Sequence, residues 1–147
     1  MAIPDKLQRV VDRFASAPRE LRGQALLKYA KQVPPLPPEL ADHPDRMQRV
    51  HECQSPFFLA TQVEGDGTVH LFFDCPPETP TVRGFAGILM AGLEGEHYEA
   101  VLAVPTTFYS DMGLAEVVSP LRLRGMGAIL SIIKSRIRKE VEDGGEG

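Results

Sequence analysis

The spacing of apolar residues divides the first part of the chain into helical and extended stretches. Apolar side chains recur at helical spacing over residues 4 to 16 and again over residues 19 to 32, which predicts two amphipathic helices. The following stretch, residues 33 to 38, contains four prolines. Because proline cannot continue a helix, this stretch is predicted to be an extended connector.

Short runs rich in β-branched and aromatic residues then predict three strands. They cover residues 47 to 52, 57 to 63 and 68 to 74. The two glycines in residues 64 to 67 favour a hairpin between the second and third strands. Three antiparallel strands need helices on one face to be stable, and the rest of the chain supplies them.

Helix signals dominate the second half of the chain. The pairs Thr79-Pro80 and Ser119-Pro120 are each typical of a cap followed by the first helical residue, and they predict helices over residues 81 to 93 and from 120 onward. Between them we expect a short helix or turn over residues 97 to 104 and another before Gly113. We expect Gly113 to end that segment in the left-handed conformation.

The order of these elements predicts an α+β fold: a three-stranded antiparallel sheet packed by helices. The chain of 147 residues is expected to form one domain. Its last residues, 142 to 147, are acidic and glycine-rich and are predicted to be a disordered tail.

Composition narrows the classes of function. The chain has 16 basic and 20 acidic residues and a net charge of -4, so no basic excess points to nucleic acid. No apolar run approaches the roughly 20 residues of a membrane span, and Lys6 and Arg9 interrupt any signal-peptide core. We therefore expect a cytoplasmic protein without a membrane partner, in which Cys53 and Cys75 are free thiols.

Cys53 is the strongest candidate for chemistry. It lies between the first two predicted strands, so we expect it on a loop, where reactive side chains tend to be presented. An accessible thiolate there would be a nucleophile. The competing interpretation, given equal weight, is a small buried hydrophobic residue, because free cysteine is among the most buried residue types.

Three chemistries fit these residues to different degrees. A His-Cys-Cys metal site is conceivable because His51 and Cys53 would share a face of a strand, but no close pair of ligands supports it. A Cys-His hydrolase is allowed, with His51 or another histidine as base, but no orienting third group is evident. Thiol exchange needs an accessible thiolate near a cation. The candidates for that cation stand at the starts of predicted helices and are Arg122, Arg124 and Arg83.

Four segments of the chain carry a resemblance to a known family. They are Cys53-Gln54-Ser55, Thr81-Val82-Arg83-Gly84-Phe85-Ala86, the stretch ending Asp111-Met112-Gly113-Leu114, and Ser119-Pro120-Leu121-Arg122-Leu123-Arg124-Gly125-Met126. Together they resemble the SufE family of cysteine desulfuration proteins. Their order and intervals agree with the family over nearly the whole chain. The resemblance implies an α+β fold like that of IscU-type scaffold proteins.

The resemblance implies a sulfur acceptor. Cys53 would take persulfide sulfur from a SufS-type cysteine desulfurase, stimulate that enzyme and pass the sulfur to an iron–sulfur scaffold complex. Arg122 would steady the thiolate. The supporting set would be Gln54, Ser55, Glu78 and His51. The pyridoxal phosphate belongs to the desulfurase, so no cofactor and no metal is expected in this chain, which would act as a monomer or homodimer.

Several expectations accompany this assignment. Glu52 stands where the family commonly has glycine, and its charge should raise the pKa of the neighbouring thiol. Phe57, Phe58 and Leu59 could form an apolar pocket that Cys53 leaves only on docking. Cys75 has no counterpart motif and is interpreted as structural, with a second acceptor as the alternative.

Two other classes of function stay open beside the sulfur carrier. One is a non-catalytic module that binds and regulates the desulfurase. The other is the Cys-His hydrolase. Loss of function on replacing Cys53 would separate the carrier from the module, whereas a hydrolase would turn over esters or peptides without any partner.

Overall fold

A computed structural model describes residues 3–53, 56–76 and 78–146 of the chain. Its helices are α1 (Asp5–Ser16), α2 (Arg19–Ala30), α3 (Pro38–Ala41), α4 (Pro80–Leu93), α5 (Tyr98–Leu102) and α6 (Pro120–Glu146). Its strands are β1 (Gln48–Arg49), β2 (Phe58–Val63) and β3 (Val69–Asp74). Single 3-10 turns are found at Pro44–Arg46, Phe108–Met112 and Leu114–Glu116.

The strands form one antiparallel sheet in the order β1-β2-β3. This arrangement confirms the predicted α+β fold with a three-stranded antiparallel sheet. The hairpin between β2 and β3 is also confirmed, with Gly67 at φ 93 and its N–H donating to the Glu64 carbonyl at 2.9 Å. None of the described helices is long and apolar enough to cross a membrane.

The first strand is much shorter than predicted. The expected strand over residues 47 to 52 was wrong beyond Arg49, because β1 contains only Gln48–Arg49. The Val50 N–H donates to the Phe57 carbonyl at 2.8 Å, and the chain directly after Val50 no longer continues β1. His51 and Glu52 therefore lie in a turn and not on a strand.

Several helix ends also differ from the predictions. Helix α2 ends at Ala30, and the short α3 follows the proline-rich connector. Helix α6 continues to Glu146, and the disordered tail expected from residue 142 stays a prediction. Once a helix is packed, each further residue adds a hydrogen bond, and this cooperativity carries it past weak helix formers.

The two predicted caps behave differently. The Ser119 hydroxyl accepts the Arg122 N–H at 3.3 Å, which confirms a side-chain cap on α6. Thr79 precedes α4 as predicted, but its hydroxyl donates to the Pro76 carbonyl at 2.9 Å and makes no cap bond. Gly113 has φ 70 and so takes the predicted left-handed conformation.

Helix α4 packs closely on the first two helices through its glycines. A Cβ atom on Gly87 would lie 1.9 Å from the Tyr29 carbonyl oxygen, and one on Gly84 would lie 2.7 Å from the Leu26 carbonyl oxygen. A Cβ on Gly92 would lie 2.6 Å from Leu7. The small residues of this helix therefore allow close packing, and α4 becomes a fixed wall for the neighbouring site.

A histidine between two carboxylates ties the hairpin to the end of α4. His70 Nδ1 lies 2.6 Å from Glu94 Oε2, and Nε2 lies 3.3 Å from Glu64 Oε2. The hydrogen bond with Glu94 is the main cause that raises the pKa of His70, although burial opposes it. Glu94 also accepts the Leu71 N–H at 2.7 Å, so the pair joins strand and helix.

This cluster predicts a pH-dependent contribution to stability. Because the pKa of His70 is higher in the folded chain than the ordinary 6.5, its contribution is fully present below pH 6.5 and disappears as pH rises through the folded-state pKa. We expect His70→Gln to lower the free energy of unfolding by about 1 kcal/mol or less between about pH 5 and pH 6.5. Urea unfolding of wild type and variant across pH measures this. The difference should shrink at alkaline pH, and a constant difference would contradict the ion-pair explanation. The exposed His43→Gln is the control.

Candidate functional site

Cys53 lies in the tight turn that follows β1. Its N–H donates to the Val50 carbonyl at 3.2 Å, and Val50 is itself held by the Phe57 carbonyl. The prediction that Cys53 lies on a loop between two strands is confirmed. The side chain points inward and only 8% of the residue is exposed. The residue that is the candidate for chemistry is therefore a buried residue.

A small pocket encloses the thiol. Its described lining residues are Glu52, Val82, Phe85, Leu121, Arg122 and Gly125. The walls come from α4 and from the first turns of α6. The cavity is about 30 Å³, which leaves room for one additional group the size of a water molecule.

The expected composition of this pocket was wrong. Phe57, Phe58 and Leu59 were proposed as its walls because they follow Cys53 in sequence, but none of them is among the described lining residues. Phe57 and Leu59 are fully buried in the core instead. Neighbours in sequence point to alternate faces of the sheet, whereas a pocket wall is built by whichever helix packs over the loop.

Gly125 also borders the thiol, although the sequence analysis did not name it as a site residue. A Cβ atom on it would lie 3.2 Å from Cys53 Sγ, which is closer than ordinary van der Waals contact. The absence of a side chain at this position lets the thiol rest against α6. The signal was present in the sequence, because this glycine belongs to the Ser119–Met126 segment that resembles the family.

The environment keeps the thiol protonated. Burial is the main cause that raises the pKa of Cys53 to about 11, and the charges of Glu52 and Cys75 act in the same direction. The expected effect of Glu52 is thus confirmed, as the second contribution after burial. Arg122 lines the same pocket, but no cation of the described residues lowers this pKa. Its support of the thiolate stays a prediction.

The raised pKa predicts slow alkylation of Cys53 in the free protein. On a Cys75→Ser background, the rate with iodoacetamide should be low near neutral pH and rise about tenfold per pH unit towards pH 11. Glu52→Gln should increase the neutral rate roughly twofold to fivefold, since a charge interaction near the surface has about that effect. Glu20→Gln, on the exposed side of α2, is the matched control. Equal rates for both variants would remove Glu52 from the explanation.

The remaining predicted site residues do not gather around the thiol. Gln54 and Ser55 lie outside the described residues. His51 and Glu78 are exposed, and neither is among the described lining residues of the pocket. In the parts of the chain that the structure describes, no three His, Cys, Asp or Glu side chains cluster as a candidate metal site.

Cys75 is the second free thiol and is also buried, with 4% exposed. It follows β3 directly. The guanidinium of Arg83 lies beside it, with Nη1 3.8 Å from Sγ. The expectation of a structural cysteine agrees with its burial, and Arg83, one of the candidate cations for a thiolate, lies beside Cys75 and is not among the described lining residues of the Cys53 pocket.

Comparison with known proteins finds one matching family model and several SufE-like relatives. The model of the Fe-S metabolism associated domain, SufE, matches residues 8–137. An uncharacterised SufE-like protein of Mycobacterium tuberculosis is 45% identical over 138 residues, which cover 94% of this chain and 95% of the relative. The SufE-like protein 1, chloroplastic/mitochondrial, of Arabidopsis thaliana is 25% identical over 91% of this chain and 35% of its own length.

One solved structure is similar to this chain both in fold and in sequence. The solution structure of a hypothetical protein from Thermus thermophilus superposes with a TM-score of 0.85 at 50% identity, and the match covers 96% of this chain and 99% of the other. The resemblance seen in the four sequence segments is confirmed by these matches. The chain therefore belongs to the SufE family, whose domain is associated with Fe–S metabolism.

Proposed function

We propose that this protein is a sulfur carrier. Cys53 accepts sulfane sulfur from the persulfide of a SufS-type, pyridoxal-phosphate-dependent cysteine desulfurase and delivers it to an iron–sulfur scaffold complex. The observation that carries the proposal is the pocket around Cys53, which has space for about one more atom beyond the thiol. Family membership supplies the context of Fe–S metabolism.

The transfer is a thiol exchange. The Cys53 thiolate attacks the outer sulfur of the desulfurase persulfide, a new S–S bond forms on Cys53, and the desulfurase cysteine leaves as a thiolate. The proton lost by Cys53 is taken up by the leaving thiolate through solvent. The products are a Cys53 persulfide and the desulfurase thiol, so atoms and electrons balance without an added oxidant.

The resting position of Cys53 cannot carry out this attack. The thiol is buried and protonated, and both access and thiolate fraction govern the rate of exchange. The turn must therefore swing Cys53 outward when the desulfurase docks. The Val50 to Phe57 hydrogen bond is the fixed base of that movement. Removal from the pocket also removes the burial that raises the pKa, so exposure and activation occur together.

The pocket then protects the loaded carrier. A persulfide that returns with Cys53 lies against Val82 and Phe85, which keep out reductants in water. Arg122 at the rim supplies a positive charge for a persulfide anion. Leu121 lines the same pocket and is 44% exposed, so it offers an apolar contact for the partner at the opening.

The decisive experiment loads the purified protein. It is mixed with a SufS-type desulfurase and cysteine without reductant, and its intact mass is measured before peptide mapping. We expect a gain of one sulfur that reductant releases. No gain with the desulfurase still stimulated would favour the regulatory module, and no gain without stimulation would overturn both functions.

The Cys-His hydrolase receives less support. A hydrolase needs a base within hydrogen-bonding distance of the nucleophile. No histidine is among the described residues that line the Cys53 pocket, and His51 is exposed in the turn.

A carrier with two free thiols also suits a reducing compartment, so we propose a cytoplasmic location.

A further inference from the structure

The two cysteines lie at the same end of the sheet. In the β2–β3 register Phe58 pairs with Asp74, so Cys75 stands one residue beyond the paired strands, opposite Phe57. Phe57 is also the residue that holds the base of the Cys53 turn through Val50. Cys53 and Cys75 belong to the same buried cluster. Both thiols are therefore buried at this end of the sheet, and the charge of Cys75 acts on the pKa of Cys53.

A guanidinium is fixed beside the second thiol. Arg83 Nη1 donates to the Cys75 carbonyl at 2.8 Å and lies 3.8 Å from Cys75 Sγ. Its Nε donates to the Ala30 carbonyl at 3.1 Å, and Nη2 donates to the Val33 carbonyl at 3.4 Å. Three backbone carbonyls from separate segments therefore hold the cation in one place.

This cation has only neutral partners in the described structure. Arg83 is half-buried, and within residues 3–53, 56–76 and 78–146 it forms no ion pair with a carboxylate. A fixed positive charge with neutral contacts stabilises an anion placed next to it. Burial and, to a smaller extent, the charge of Asp74 raise the pKa of the Cys75 thiol, while Arg83 acts in the opposite direction. A persulfide is more acidic than a thiol, so it is the species that benefits from Arg83.

We propose that Cys75 and Arg83 form a second sulfur site, which takes the sulfane sulfur from the Cys53 persulfide and holds it as a persulfide anion against the guanidinium. This inference rests on the proposed function, because Cys53 must be loaded first. Val82 lines the Cys53 pocket and precedes Arg83 in α4, so one turn of helix borders both positions.

The step is an internal thiol exchange. The Cys75 thiolate attacks the outer sulfur of the Cys53 persulfide, the S–S bond on Cys53 breaks, and a new S–S bond forms on Cys75. The Cys75 proton passes to the Cys53 thiolate that leaves. The step is reversible, so Cys53 can recover the sulfur when a recipient docks. Sulfur therefore has a second position inside the protein, away from the opening at Leu121.

The test maps sulfur within the loaded wild-type protein. No Lys or Arg lies between Arg49 and Arg83, so trypsin leaves both cysteines in one peptide. Cleavage after glutamate separates them at Glu64. The protein is loaded by a SufS-type desulfurase and cysteine, quenched in acid, alkylated in denaturant and digested. We expect alkylated persulfide on both the Cys53 and the Cys75 peptides.

Variants separate the second site from the first. With Cys53→Ser we expect no sulfur on Cys75, since the buried thiol is loaded only through Cys53. With Arg83→Gln we expect the ratio of Cys75 to Cys53 persulfide to fall about tenfold, the effect of losing a hydrogen bond to a charged group. Arg83→Lys keeps the charge and should therefore lower this ratio less than Arg83→Gln does. Urea unfolding verifies that each variant is folded.

Scrambling after denaturation is controlled directly. Loaded Cys75→Ser protein is denatured together with unloaded Cys53→Ser protein, and any sulfur that reaches the latter measures exchange during work-up. The inference would be overturned if the loaded wild type carried sulfur on Cys53 but none above this background on Cys75. The carrier proposal would then remain intact. A Cys53–Cys75 disulfide in place of the Cys75 persulfide would also overturn it. No sulfur on Cys53 would instead contradict the proposed function.

Discussion

The Cys53→Ser protein is expected to take up no sulfur from a cysteine desulfurase and to lose its stimulation of that enzyme. The hydroxyl of serine is not ionised at neutral pH and cannot form a persulfide, so the expected loss is complete within the background of the assay. Sulfur uptake is read by intact mass, and stimulation by the rate at which the desulfurase forms alanine from cysteine.

Cys75→Ser is the matched control for this change. Both cysteines are free and buried, so each variant places a hydroxyl at a buried position, with Arg83 beside the one at position 75. A buried hydroxyl without a partner costs about 1–3 kcal/mol, and urea unfolding reports that cost for each variant. Cys75→Ser should still accept sulfur on Cys53. If Cys53→Ser stimulates the desulfurase as well as wild type does, the regulatory module is the better description.

Gly87→Ala is expected to be the most destabilising small change in the helical layer. The added Cβ would lie 1.9 Å from the Tyr29 carbonyl oxygen and 2.5 Å from the carbonyl carbon. Backbone atoms cannot move aside as a flexible side chain does, so α2 and α4 must separate. We expect a loss of about 3 kcal/mol or more in the free energy of unfolding, at the upper end for overpacking. The urea midpoint measures it.

Gly23→Ala provides the comparison within the same pair of helices. Gly23 lies in α2, and no atom outside its own helix lies within 4 Å of the Cβ that would be added. Alanine has less backbone entropy to lose in a helix, so this change should stabilise the protein by about 0.5–1 kcal/mol. A similar gain in stability for Gly87→Ala would show that helix propensity, and not the α2–α4 contact, dominates at these glycines.

The α2–α4 contact also bears on the sulfur sites. Val82 and Phe85 of α4 form walls of the Cys53 pocket, and Arg83 of the same helix binds the carbonyls of Ala30 and Val33. A displaced α4 would therefore loosen the pocket and move the guanidinium. We expect Gly87→Ala to alkylate at Cys53 faster than wild type even under conditions in which it remains folded.

The sequence by itself determined the elements and the reactive residue. Periodicity in the first 32 residues identified α1 and α2, and the glycines after Val63 identified the hairpin. The Ser119-Pro120 pair marked the start of α6 because a cap depends on residues three positions apart. Cys53 was recognised as the candidate site from its place between two strands and from the motif segments that match the family.

Only the tertiary structure determined the burial and the protonation of Cys53. The burial of Cys53, the pocket walls from α4 and α6, and the contact of Arg83 with Cys75 all join segments that no local pattern connects. The short β1 likewise followed from the pairing of Val50 with Phe57, after which the chain no longer continues the strand. Local propensity depends on near neighbours in sequence, whereas desolvation and charge depend on whichever distant residues pack against the group. The sequence therefore identified the thiol, and the packing determined that it is held protonated and concealed.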